Sequence, residues 1–310
     1  MPAASRARAL DVVVVTRDTL DLTLRCAAAV LGQRLGGLDV RLIVVDNGSR
    51  DGTADAIATR WPDVTVLRNK ADRGYARACN QGIRAGQSEF VLILNSDAFP
   101  RRGALGRLVA FLAAHSDHSV AAGLLVDAGT DRPQVGFAVR GYPTLLAQLA
   151  LLAGLERLWP HNPLSRHQAL PNFDYSRTQD VEAQPAGACL ACRRSDFEAV
   201  GGFDEEFHYW FEDVDLVLRL RARGRVVYIH DAVFDHVGGA TFSQWTRPQV
   251  VRARYGSLLR FFQKHHSPAE VLGLRAAIGM LAAARALALA FVAPERARAY
   301  LDVLRLAVHG

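Results

Sequence analysis

The sequence predicts an open α/β sheet with crossover helices over its first hundred or so residues, and three observations carry that prediction. Short runs of mostly branched apolar residues, Val12-Val13-Val14-Val15, Leu42-Ile43-Val44-Val45 and Phe90-Val91-Leu92-Ile93-Leu94, show no polar alternation, as strands covered on both faces do. Segments with helical spacing and start signals lie between them, so strand and helix alternate. Each run ends in a polar turn, and ligands of such sheets bind at the carboxyl ends of the strands.

In chain order, the first run leads through Thr16-Arg17-Asp18 into a helix predicted over Thr19 to Leu31. The second leads through Asp46-Asn47-Gly48-Ser49-Arg50-Asp51-Gly52 into a helix over Thr53 to Arg60. A weaker strand, Val64-Thr65-Val66-Leu67, precedes a helix over Tyr75 to Ala85, and the third strong run ends in Asn95-Ser96-Asp97. Turn and capping chemistry explains part of these polar ends. Asp97 is different, because Ala98-Phe99-Pro100 follow it rather than an immediate helix.

From about Pro143 to Pro185 prolines punctuate Leu-rich and polar aromatic pieces, which predicts an irregular insertion, a lid or an acceptor-binding segment. Gly187 to Arg194 then reads as a strand, Ser195 to Val200 as a helix, and Val226 to Ile229 as a further strand leading to Phe234-Asp235-His236-Val237-Gly238-Gly239. Between them, Phe203 to Leu216 crowds acids among aromatics. Such carboxylates sit together only if helix N-terminal donors, a metal or a cationic ligand offset their repulsion. Ordinary helix electrostatics gives the alternative account: Glu212, Asp213 and Asp215 in a first turn, Arg219, Arg221 and Arg223 towards the end, and a stop at Gly224.

With 310 residues, half of them hydrophobic, the chain is long enough for one large or two modest domains. No N-terminal segment combines a basic start, an apolar run and a cleavage site, so cytosolic synthesis is expected. The four cysteines, Cys26, Cys79, Cys189 and Cys192, make neither a disulfide framework nor paired zinc ligands. A net charge of +6 suits an anionic partner. Nucleic acid is disfavoured, because the basic residues are scattered with no aromatic-basic ladder. Dinucleotide, P-loop and nucleophile-elbow glycine motifs are absent, which points to a nucleotide whose diphosphate is handled by a divalent metal. In the tail from Pro268 to Gly310, Arg275 and Arg285 interrupt the apolar stretch, so a simple transmembrane helix is not expected. The tail reads as a pair of amphipathic helices in a membrane interface, with a packed hairpin or homodimer surface as the alternative.

The series VVVVT, VVDNGSRDGT, GYARACNQGI, LILNSDA, GACLACRRSDFEAVGGFDEEF, EDVDLVLRLRARG and HVGG resembles the inverting family-2 glycosyltransferases of the GT-A fold, particularly the bacterial rhamnosyltransferase branch. The order and spacing match over roughly Asp11 to Gln263. The resemblance implies a GT-A domain over residues 1–265, with a nucleotide-sugar half at 9–100, an acceptor half at 101–265 and a helical tail at 266–310. It implies Mn2+ or Mg2+ at Asp97 and His236, hard or borderline donors suited to those ions. Thr16, Asp18, Asp46, Asn47, Arg73, Asn80, Asn95 and Ser96 are expected around the nucleotide sugar. Asp213 is the implied catalytic base, with Glu212, Asp215 and Trp210 supporting the acceptor side and Tyr209 a second candidate for sugar stacking. The chain departs from its relatives in carrying Arg17-Asp18 where Tyr-Asn is usual and Asp72 where an Asn is usual.

The expected function is metal-dependent inverting transfer of a sugar from a nucleoside diphosphate to a lipid-linked or cell-envelope glycan, at the cytoplasmic face of a membrane. The choice between dTDP-rhamnose and UDP- or GDP-sugars stays open. A sugar-phosphate nucleotidyltransferase lacks support, since its glycine-rich, lysine-bearing N-terminal loop is missing. A catalytically silent carbohydrate-binding or scaffold protein is the alternative from another class.

Overall fold

The computed structural model describes residues 8–33, 37–160, 162–239 and 245–309. Its first half alternates as the sequence predicts: β1 (Arg8–Thr16), α1 (Leu20–Leu31), β2 (Leu38–Asp46), α2 (Thr53–Arg60), β3 (Thr65–Arg68), α3 (Tyr75–Ala85) and β4 (Phe90–Asn95). These strands are parallel and lie side by side in the order β3-β2-β1-β4. The apolar runs are buried on both faces: Val12 and Val14 enter one core layer, Val13 and Val15 the other.

The chain continues through β5 (Ala98–Pro100), α4 (Ala104–Ala114), β6 (His118–Asp127), β7 (Val139–Arg140), α5 (Leu145–Leu152), α6 (Leu155–Leu158) and α7 (Pro163–Ala169). Then come β8 (Gln179–Asp180), β9 (Gln184–Pro185), β10 (Cys189–Arg193), α8 (Arg194–Ala199), α9 (Glu212–Leu220), β11 (Arg225–His236), α10 (Arg247–His265), α11 (Pro268–Leu289) and α12 (Pro294–His309). β10 joins the parallel half by pairing antiparallel with β4, and the sheet runs on through β6, β11 and β5, with β8 also on β11. One nine-stranded sheet thus spans both expected halves.

Three local features set up the site. The pairing of β11 with β6 shifts register between Ile229 and Val233, and such a bulge re-aims the end of a strand. The re-aimed end pairs antiparallel with β5, setting His236 opposite Ala98, and Val237 N–H donates to the Asp97 carbonyl at 3.0 Å. Ahead of α9, Trp210 and Phe211 both adopt left-handed backbone, φ 64° and 65°, a strained conformation for large side chains that turns the chain abruptly into the helix.

The structure differs from expectation in three places. Residues 143–185 are not irregular throughout but hold three short helices, the first capped by the Thr144 hydroxyl and the third by Asn162 ahead of Pro163. The basic helix after the acids ends at Leu220, short of Gly224. The tail forms the expected helix pair, but it packs onto the domain, with Leu274, Ile278 and Val303 clustered against Phe207, Val214 and Phe262. Despite Arg275 and Arg285, an 18-residue window of Pro268–Leu289 has a mean hydropathy of 1.6, so by length and composition alone this helix is long and apolar enough to cross a membrane.

Candidate active site

A cavity of about 300 Å³ opens along the carboxyl ends of β1 and β4 and is closed on its far side by the start of α9 and by the 137–168 segment. Thr16, Asn95, Ser96 and Asp97 line the end at the strands, and Trp210, Glu212 and Asp213 line the side formed by the start of α9. An adjoining concavity takes in Arg17, Asp18, Asp72 and His208.

At the first end, the Thr16 hydroxyl joins those of Thr19 and Thr23 at 3.0 and 2.6 Å, and Ser96 reaches Thr19 at 3.3 Å. Tyr75 donates to Asn95 Oδ1 at 3.0 Å. Asp97 and His236 are almost wholly buried, with His236 Nε2 3.3 Å from Asp97 Oδ1. Gln134 fixes that imidazole. Its Nε2 donates to the His236 carbonyl at 3.0 Å and to Asp127 at 3.1 Å, so its Oε1 is left to accept from His236 Nδ1 at 2.7 Å. Nε2 is then the free ring nitrogen, aimed at a carboxylate, and it has no hydrogen-bond partner. Two facing acceptors suit a shared cation, and their separation is close to the roughly 3 Å edge between neighbouring ligands about 2.1 Å from an octahedral ion. No cluster of three such ligands occurs among the described residues, so a divalent ion here would draw its remaining ligands from substrate oxygens and water.

The carboxylates of Glu212 and Asp213 stand in the first turn of α9. Asp213 Oδ2 accepts from Gln184 Nε2 at 3.1 Å and Gly187 N at 2.9 Å, and Oδ1 accepts from Val214 N at 2.8 Å. The contact with Gly187 requires glycine, because a Cβ there would lie 2.7 Å from Asp213 Cβ. Glu212 is buried, and its Oε2 has no hydrogen-bond partner. Burial, and next the charge of Asp213, push the Glu212 carboxyl well above the ordinary glutamate range.

The other expected residues lie around this centre. Asp18 accepts from Arg50 N at 2.6 Å, Asp46 Oδ1 accepts from Gly48 and Ser49 N, and Asn47 ties Asn69, Asp72 and Arg73 together. Asp46, Asn47 and Arg73 line neither concavity. Asn80 and Asp215 were expected at the site but face away from it. Asn80 bonds the Phe203 backbone in both directions and Glu205 at 3.0 Å. Asp215 is buried against Arg219, Lys264 and His265, a clamp between α9 and α10. Cys189 and Cys192 sit on opposite faces of β10, which separates the two thiols.

The two departures from the family pattern prove to be one feature. Arg17 and Asp72 form an ion pair across 55 residues of sequence, and Asp72 also accepts from Asn47, Gly74 N and Tyr209. Sequence reading passed over Tyr75, Gln134, Gln184 and Arg140 as site residues. Gln184 and Arg140 lie in the two-stranded β7–β9 ribbon, too short to leave a periodic signal.

The sequence profile of glycosyl transferase family 2 matches residues 11–168, and that of the N-terminal domain of galactosyltransferase matches 167–238. An N-acetylglucosaminyl-diphospho-decaprenol L-rhamnosyltransferase of Mycobacterium tuberculosis is 31% identical over 230 residues, covering 64% of this chain and 66% of its own. A pre-mycofactocin glycosyltransferase of the same organism is 30% identical over 246 residues, covering 79% of this chain and 46% of its own. This chain therefore spans just under two thirds of the first relative and about half of the second. Among solved structures, a Pyrobaculum calidifontis mannosyltransferase in complex with GDP-Man and Mn2+ superposes with a TM-score of 0.53 at 20% identity, covering 96% of this chain and 86% of its own. Staphylococcus aureus TarS superposes at 0.52 with 16% identity, covering 96% and 90%. The fold is that of these enzymes, the GT-A arrangement expected from the sequence.

Proposed function

Because this chain belongs to glycosyl transferase family 2, we propose that it transfers a sugar, with inversion, from a nucleoside diphosphate to a hydroxyl of a lipid-linked or cell-envelope glycan. The observation that carries this reading is one cavity lined both by Asp97, which faces His236, and by the hydrogen-bonded Asp213 carboxylate. The nucleoside lies along the ends of β1 and β2. The diphosphate rests near Asn95, Ser96 and Asp97. Mn2+ or Mg2+, held by Asp97 and His236, would supply neutralisation of the charge that develops on the leaving diphosphate. The acceptor hydroxyl attacks the anomeric carbon from the opposite face while Asp213 takes its proton. The new C–O bond forms as the bond to the diphosphate breaks, and the nucleoside diphosphate leaves. Gln184 and Gly187 hold Asp213 in place for that transfer.

The rhamnosyltransferase relative favours rhamnose as the sugar and a polyprenyl diphosphate glycan as the acceptor. Work at the inner membrane surface follows from such an acceptor. The exposed Leu287, Phe291 and Val292 at the α11–α12 turn suit peripheral contact there. Phe291→Asp should then weaken co-sedimentation with anionic vesicles, and equal sedimentation would remove that contact.

Thermal stabilisation by a panel of nucleoside diphosphate sugars, with and without Mn2+ or Mg2+, tests the function. Metal-dependent stabilisation by one nucleotide class, lost in Asp97→Ala and kept in Asp213→Ala, is the expected result. No shift with any nucleotide would leave the silent scaffold as the better reading.

A further inference from the structure

Resting on that glycosyl-transfer reading, we propose that Arg140 grips a phosphate of the acceptor, so that the acceptor is a lipid phosphate glycan whose chain leaves over α5 and α6. Arg140 lines the cavity, forms no ion pair among the described residues, and its Nε is buried without a hydrogen-bond partner. Its guanidinium lies 5.6 Å from the Phe137 ring centroid, and Phe137 stacks on His236 with centroids 5.2 Å apart. Phe137 thus stands between Arg140 and the Asp97–His236 pair that faces the donor diphosphate.

Arg140 is also paired in register with Gln184, whose side chain holds Asp213. Inversion places the leaving diphosphate and the acceptor on opposite faces of the anomeric carbon. A cation beside the base and beyond Phe137 is therefore on the acceptor side. The planar fork of an arginine suits a phosphate bidentately. On the same insertion Leu151 lines the cavity beside Gln148 and Gln168, and Leu146, Leu158 and Trp159 are exposed at 61%, 84% and 57%. An anion holder with exposed apolar side chains on the same insertion fits a polyprenyl phosphate better than a neutral soluble glycan.

The test uses the full chain, saturated with nucleoside diphosphate and Mn2+ to occupy the donor side. Binding of geranyl diphosphate, inorganic pyrophosphate and a neutral geranyl glycoside is measured by calorimetry for wild type, Arg140→Gln and Arg140→Lys. The expected result is that wild type binds geranyl diphosphate more tightly than either other probe. Arg140→Gln then loses about tenfold or more of that affinity, and Arg140→Lys recovers part of it. Pyrophosphate binding as tightly as geranyl diphosphate would overturn the lipid assignment and leave a free phosphate site. Equal binding of geranyl diphosphate by wild type and Arg140→Gln, or a loss of nucleotide affinity in Arg140→Gln, would overturn the acceptor-side assignment. Failure of wild type to bind nucleotide at all would instead sink the transferase reading itself.

Discussion

Glu212 holds a buried Oε2 with no partner, while three N–H groups end on the adjacent Asp213. The raised Glu212 carboxyl has a sign that can be checked. The folded chain keeps a proton there that the unfolded chain releases above about pH 4.3. Its contribution to stability is full below that pH and is lost as pH rises towards the raised value. Glu212→Gln removes the dependence, so in metal-free protein its gain in Tm over wild type should be larger at about pH 8 than at about pH 5. The Arg17–Asp72 pair gives a second prediction at this scale. Asp72→Asn alone leaves Arg17 only the longer contact to Asp18 at 3.9 Å and should cost about 1 kcal/mol in denaturant unfolding. Arg17→Tyr combined with Asp72→Asn, the usual family residues, should recover most of it. Both departures were legible in the sequence. That they touch was not, because nothing in one sequence links positions 55 residues apart.

At the scale of elements, Asp97 and His236 meet because β5 pairs with the re-aimed end of β11. The sequence marked both residues through their family resemblance, but a three-residue strand and a bulge leave no hydrophobic period to read. Asp215 was misplaced for a reason that helix geometry supplies. Two residues beyond Asp213 is about 200° around a helix, so the two carboxylates face opposite ways. Burial would raise the Asp215 carboxyl, but hydrogen bonds from His265, Arg219 and Lys264 outweigh it and hold the group well below the ordinary range. That stability is present above the unfolded aspartate value of about 3.9 and is lost as pH falls through the lowered one. Asp215→Asn should therefore destabilise the neutral-pH protein by about 2–4 kcal/mol in chemical denaturation, with the gap to wild type closing in acid.

Across the whole molecule, the parallel half was readable because runs such as Val12 to Val15 are buried on both faces and separated by capped helices. β6 and the β7–β9 ribbon were missed. β6 mixes polar and small residues, and the ribbon is only two residues long on each side. The tail's packing depends on Phe207 and Val214, which lie more than fifty residues before it in sequence. The proposed transfer rests on Asp213 sharing one cavity with Asn95, Ser96 and Asp97. The most direct test is transfer from a bound nucleoside diphosphate sugar by Asp213→Asn, an isosteric change that can no longer take a proton. The account predicts a kcat lower by about 10²–10⁴ with donor affinity retained. A variant that turns over at close to the wild-type rate would contradict it.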